Sequence, residues 1–181
     1  MAEHHSPTAP AESNRSLLQQ SNLTTSQLYI WMGQQLRPDL PLYNMALSFT
    51  IEEALSPVRF QEAFDTLVAH TDALRTVFVL ENGVPCQHVL PELPYTVAHH
   101  DFSTASNPAE AAAAWCQQQS QINFKLEECL FDTALLKLDD TTYVWYFNQH
   151  HLVTDAWSTT VLYGRLTMLP RNGVHGKKSR P

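Results

Sequence analysis

Two adjacent histidines, His150 and His151, are followed four residues on by Asp155. An imidazole with an ordinary pKa of about 6.5 can take a proton and return it at neutral pH. The preceding run, Tyr143 to Gln149, reads as a strand. If the strand continues, alternation puts Trp145, Phe147, Gln149 and His151 on one face and turns His150 the other way. One histidine can then enter an open site while its neighbour packs into the fold. Asp155 stands where a loop turns into a helix, suited to cap that helix or to accept a charged hydrogen bond. The plainer readings stand beside these: Asp155 as a helix cap only, and a strand-end histidine as a structural residue. A metal held by His151 and Asp155 lacks a third ligand at a suitable local spacing, and no G-x-S-x-G elbow supports a Ser-His-Asp hydrolase. His99-His100-Asp101 repeats the theme among loop-like neighbours and is expected at the surface. Composition and spacing leave histidine chemistry and a structural pair evenly balanced.

The elements that must position these residues follow from periodicity and caps. Thr24 with Gln27 forms a capping box, and Leu28, Trp31, Met32 and Leu36 follow it as a helical stripe closed by Arg37-Pro38. Tyr43 to Glu53 reads as a strand. Ser56-Pro57 opens a second helix with Phe60, Ala63, Phe64, Leu67 and Val68 on one face. Leu74 to Leu80 and Val84 to Leu90 read as a hairpin turning at Asn82-Gly83, with a short strand expected at Tyr95–Ala98. Asn107-Pro108 opens a third helix to about Ser120. Cys129 to Leu138 and Thr142 to Gln149 pair as antiparallel strands, and a last helix runs from about Asp155 to Met168. Helices and strands mix without regular βαβ alternation, so the fold class is α+β.

The 181 residues suit one domain with tails. Apolar residues make up 44% and charged residues 16%, against roughly 25% charged in an average soluble protein. The net charge of −7 argues against phosphate-backbone binding, so no nucleic-acid partner is expected. No run of 18 apolar residues exists, so no membrane span is expected. Cys86, Cys116 and Cys129 follow no zinc or redox spacing and read as reduced thiols, which points to the cytoplasm. Residues 1–22 lack a signal-peptide pattern and read as a flexible leader. Arg171, Lys177, Lys178 and Arg180 make the last eleven residues basic, on a body that is otherwise strongly acidic.

The stretch Gln149-His150-His151-Leu152-Val153-Thr154-Asp155-Ala156-Trp157-Ser158 resembles the HHxxxDG signature of condensation domains in nonribosomal peptide synthetases. Leu23-Thr24-Thr25-Ser26-Gln27-Leu28-Tyr29-Ile30-Trp31 resembles that family's opening motif, and Asp72-Ala73-Leu74-Arg75-Thr76-Val77-Phe78 its E-x-L-R-T-x-F motif. The resemblance covers about residues 23–166. It implies a chloramphenicol-acetyltransferase-like sandwich, of which this is the first lobe of a two-lobe fold with the active site in the channel between lobes. It further implies peptidyl or acyl carrier protein domains as partners. These bring a donor thioester and an acceptor on phosphopantetheine arms, with no cofactor or metal bound directly. On that mapping His151 is the residue facing the reaction, as base or positioning group. His150 packs or orients, and Asp155 holds the loop through an ion pair with Arg75.

Several departures from the family pattern stand out, among them Cys129-Leu130-Phe131-Asp132 in place of a P-L-x-R pattern. Ala156 occupies the signature's glycine position, which bears on the backbone geometry there. Tyr29 and His70-Thr71 stand where arginine and Arg-His are frequent. The similarity fades after Tyr163-Gly164-Arg165-Leu166, so residues 167–181 are expected to be a non-family tail left by a truncation, frameshift or boundary. The lobe is then expected to be inactive alone. Two other readings remain: a CoA-dependent acyltransferase of the same superfamily, and a non-catalytic module that binds a carrier protein or a separate C-terminal lobe.

Overall fold

The computed structural model describes residues 20–168. Each of its four long helices starts where a side chain supplies a cap. Helix α1 (Thr25–Leu36) begins with the full capping box: Thr24 Oγ1 accepts from the Gln27 amide at 3.2 Å, and Gln27 Oε1 accepts from the Thr24 amide at 3.0 Å. Ser56 caps α2 (Pro57–Ala69), Asn107 caps α3 (Pro108–Gln119), and Asp155 caps α4 (Ala156–Met168). Such caps satisfy N–H groups that the helix itself leaves unpaired.

Strands β1 (Asn44–Ile51), β6 (Tyr143–His150), β5 (Phe131–Lys137) and β4 (Ala98–Asp101) form one sheet in the order β1-β6-β5-β4. The pairings are antiparallel except β4 with β5, which is parallel. Strands β2 (Thr76–Glu81) and β3 (Val84–Val89) make a separate hairpin. Its turn residues Asn82 and Gly83 both have positive φ, at 51° and 82°, as a tight two-residue hairpin turn requires.

Alternation along β6 divides the core in two. Trp145 and Phe147 face α2 and α4, where they meet Phe60, Phe64, Leu162 and Leu166. Trp145 is fully buried, stacks on Phe49 and Phe147 at 5.2 Å, and donates its indole N–H to Thr133 at 2.9 Å. Tyr146 faces the other way, beneath α3, with Ala112, Ala134 and Leu136. A third cluster joins α1 to the hairpin and to the loop after β6 through Leu23, Phe78, Leu126, Leu130 and Leu152. The result is an α+β sandwich with helices on both faces of the sheet.

Several local expectations change. Leu74 and Arg75 lie in a 3-10 turn (Asp72–Arg75) that precedes β2 instead of beginning it. The short strand is Ala98–Asp101, not Tyr95–Ala98: Tyr95 instead packs edge-on against Phe64 and Phe131 and donates its hydroxyl to Asp65. His99-His100-Asp101, expected at the surface among loop-like neighbours, lies in a sheet strand: His99 and Asp101 are exposed as expected, while His100 is half-buried with its ring 4.7 Å from that of Trp115. Ser21 and Asn22, expected at the end of a flexible leader, are tied to β3. The Asn22 side chain exchanges hydrogen bonds with the Gln87 backbone as a neighbouring strand would. Residues 1–19 and 169–181, which hold the rest of the leader and nearly all of the basic tail, lie outside the described residues.

Candidate active site

Strand β6 stops at His150 because its neighbours run out. The His150 amide donates to Leu130, just before β5 begins, and the His151 amide donates to Tyr43, just before β1 begins. With no partner strand beyond that row the chain turns, and the Val153 amide closes back on the His150 carbonyl at 3.1 Å. His151 thus stands outside the strand, in a turn, and its place is set by that turn and not by the alternation expected from sequence.

The two histidines have opposite surroundings. His150 is 2% exposed. Its Nδ1 accepts from the Leu152 amide at 3.2 Å, and its Nε2 lies 3.5 Å from Gln34 Oε1 on α1. Burial, helped by the charge of His151, pushes its pKa down to about 4, so it is neutral at physiological pH. His151 is exposed. Its Nδ1 lies 2.6 Å from the Thr154 carbonyl. A carbonyl only accepts, so Nδ1 carries a proton, and in the neutral ring the lone pair is on Nε2.

Asp155 is also exposed, and its Oδ1 accepts from both the amide and the hydroxyl of Ser158 at 2.7 Å. These bonds hold its carboxyl below the ordinary carboxylate range, with a smaller contribution from His151. The ion pair with Arg75 does not form. Arg75 donates instead to Asp72 at 2.6 Å and to the carbonyls of Val68, Leu90 and Pro91. Asp155 serves as the helix cap through Oδ1, while Arg75 joins the end of α2, the 3-10 turn and the exit of β3. Arg75 is therefore a brace of the hairpin, not a partner of the signature loop.

Ala156 is the first residue of α4. Among the described residues the only non-glycine with positive φ is Asn82, so Ala156 meets no backbone strain where the signature has glycine. Its methyl helps line a cavity of ≈ 370 Å³ between β1 and α4, together with Met45, Leu47, Phe49, Thr159 and Thr160.

Further polar residues complete the loop's support, of which Gln34 and Thr159 were not singled out from sequence. Gln149 donates to Thr159 Oγ1 at 3.2 Å, and the Thr159 amide and hydroxyl both bond to the Asp155 carbonyl. Gln34 reaches His150 from α1. Gln27, expected as a cap residue and as part of the opening motif, also donates to the Leu152 carbonyl at 3.1 Å. The one sequence signal for Gln34 was its place two helical turns after Gln27, on the same face. Among the described residues no group of three His, Cys, Asp or Glu side chains is placed to hold a metal, and no helix is long and apolar enough to cross a membrane.

An α+β sandwich of this kind is one lobe of the chloramphenicol-acetyltransferase-like fold. The chain belongs to the Condensation domain family, which it matches over residues 18–180. That span reaches past residue 166 into the basic segment expected to lie outside the family. The chain is 32% identical over 150 residues to phosphinothricin tripeptide synthetase PhsC of Streptomyces viridochromogenes, covering 81% of this chain and 14% of that protein. The crystal structure of the starter condensation domain of rhizomide synthetase RzmA superposes with a TM-score of 0.76 at 30% identity, over 80% of this chain and 35% of that one. A double mutant of the same domain, in complex with C8-CoA and Leu-SNAC, superposes with a TM-score of 0.76 at 28% identity, over 84% of this chain and 36% of that one. The chain therefore spans about a third of the solved domains it matches.

Proposed function

We propose that this chain is the N-terminal lobe of a peptide-synthetase condensation domain and that His151 handles the proton in amide, or ester, formation. The observation that carries this is the Nδ1–H bond from His151 to the Thr154 carbonyl, which leaves Nε2 as an available base on an exposed loop. An acceptor amine attacks the donor's thioester carbonyl, the C–N bond forms, and Nε2 takes the amine proton. The C–S bond then breaks and the proton passes to the departing thiolate. Placement of the amine and of the developing charge contributes beside the proton transfer itself. His150 is the buried support, Asp155 the cap that fixes where the loop ends, and Ala156 part of the cavity wall.

Donor and acceptor are held by peptidyl or acyl carrier domains on phosphopantetheine, whose thioester supplies the activated acyl group. The far wall of the channel, which excludes water, comes from a second lobe that the 181 residues do not contain. The work is placed in the cytoplasm, in keeping with three cysteines that are all free thiols.

A second reading, a CoA-dependent acyltransferase, is favoured by the C8-CoA in the related starter domain. One assay separates the two. The chain is joined to a family second lobe and given an acyl group on a carrier protein or on CoA, with a carrier-bound aminoacyl acceptor. Product from the carrier-bound donor, falling about 10²–10⁴-fold in His151→Ala, is expected from loss of a general base. Product only from the CoA donor would establish the second reading, and unchanged product in His151→Ala would remove His151 from the reaction.

A further inference from the structure

Every polar atom of the His150 ring is committed, and the commitments trace back to one residue on α1. Both amide hydrogens of Gln34 are spent on backbone carbonyls, Arg37 at 3.2 Å and Leu40 at 3.0 Å, where the chain leaves α1. That fixes the orientation of the amide, so what Gln34 turns toward His150 is Oε1, an acceptor with no proton to give. The nitrogen facing it must carry a hydrogen. On the far side of the ring, the Leu152 amide points at Nδ1 from 3.2 Å, so Nδ1 must carry a lone pair. These two demands allow one state, the neutral ring with its proton on Nε2. A second proton would set an N–H against the Leu152 N–H and open the turn.

The ring is enclosed as well as paired. Tyr43 lies 6.0 Å from it and Phe124 6.4 Å, both apolar faces, and the one charge resolved as acting on it is that of His151. Tyr43 reaches this position because α1 has Gly33 beneath it: a Cβ there would overlap the Tyr43 hydroxyl.

We propose that Gln34 is a positioning residue that holds His150 as the neutral, Nε2-protonated tautomer, so that at neutral pH His151 does not compete with it for a proton. Two neighbouring imidazoles with ordinary proton affinities would compete for that proton, and a charge on the first would oppose a charge on the second. Gln34 removes the competition without placing a carboxylate near the pair. The catalytic consequence rests on the condensation reading above, but the tautomer does not.

The test is long-range ¹H–¹⁵N NMR of the imidazoles in the full, ¹⁵N-labelled chain without substrate, with the His151→Ala chain used to assign the signals. Wild type is expected to show His150 as the Nε2–H tautomer and neutral from pH 7 to below 5. Gln34→Glu keeps an acceptor but adds a negative charge, and should raise the proton affinity of His150 at least tenfold. Gln34→Leu removes the acceptor and should mix the tautomers. A merely structural Gln34 would lower the melting temperature in these variants and leave tautomer and titration unmoved, and that result overturns the proposal. So does a wild-type His150 that carries its proton on Nδ1, or that gains its second proton near the ordinary histidine value of about 6.5. If Gln34→Leu fails to fold, wild type and Gln34→Glu still decide. Because no substrate is present, this measurement can fail while His151 remains essential to condensation, and the reverse also holds.

Discussion

The side-chain amide of Gln27, in the first turn of α1, donates to the carbonyl of Leu152, 125 residues further along the chain, at 3.1 Å. The same side chain accepts from the Thr24 amide to complete the helix cap. One residue therefore ties the start of α1 to the loop that presents His151. Gln27→Glu keeps the acceptor for the cap and loses the donor to Leu152, so the two roles separate. Gln27→Ala should cost about 1–2 kcal/mol through both losses. Gln27→Glu should cost less but give a similar increase in hydrogen exchange at the loop amides that close the turn. Equal exchange in wild type and Gln27→Glu would remove the tie.

Acid should destabilise the protein in a defined window. His150 titrates near 4 when folded and near 6.5 when unfolded, so the unfolded chain binds the proton more tightly. Its contribution is whole above pH 6.5 and is lost as the pH falls from 6.5 toward 4, by at most about 3 kcal/mol. Asp155 is also depressed, from an ordinary 3.8, and its contribution is lost only on further acidification. Thermal melts from pH 7 to 4 should fall steeply in wild type and show a much shallower slope in His150→Gln.

Arg75 and Asp155 should act independently. They share no bond, and their partners lie on different elements. A double-mutant cycle of Arg75→Ala with Asp155→Ala is expected to show coupling within about 0.5 kcal/mol. Arg75→Ala alone should be costly, because the carbonyls of Val68 and Leu90 lose a donor. Its pairing with Asp72 adds little, since that carboxylate is largely in solvent. Strong coupling to Asp155 would restore the ion pair that the family resemblance implies.

Trp145→Ala should unfold the lobe or come close to it. The indole is fully buried between α2 and α4, and its removal leaves both a cavity and a buried Thr133 hydroxyl without its donor. About 3–5 kcal/mol is the usual cost of such a truncation. His151→Ala, by contrast, removes an exposed ring and should shift the melting temperature by no more than a surface substitution does. The two variants measured together distinguish loss of fold from loss of chemistry.

Much of this protein was legible in its sequence, because the signals involved are local. The cap residues Thr24, Ser56 and Asn107, the stripe Phe60, Ala63, Phe64, Leu67 and Val68, and the Asn82-Gly83 turn all act within a few residues of themselves. The histidine pair, the cap at Asp155 and the family motifs are likewise contiguous, and they lead to the Condensation family. What the sequence could not decide is which distant groups each polar side chain meets. Arg75 had several carboxylates and carbonyls within conceivable reach; Asp72 is a neighbour in the same 3-10 turn, whereas the carbonyls of Leu90 and Pro91 come within reach only because β3 returns beside that turn. Strand alternation carried His151 one residue too far, because a strand ends where its neighbours end, and those neighbours are Leu130 and Tyr43. The roles of Gln27 and Gln34 depend on α1 lying across the loop after β6, more than a hundred residues away in the chain. Local hydrogen bonds and hydrophobic period determine which elements form; the choice among long-range hydrogen-bond partners is made only when those elements pack, and that choice buries and pairs the His150 ring while the neighbouring His151 stays exposed.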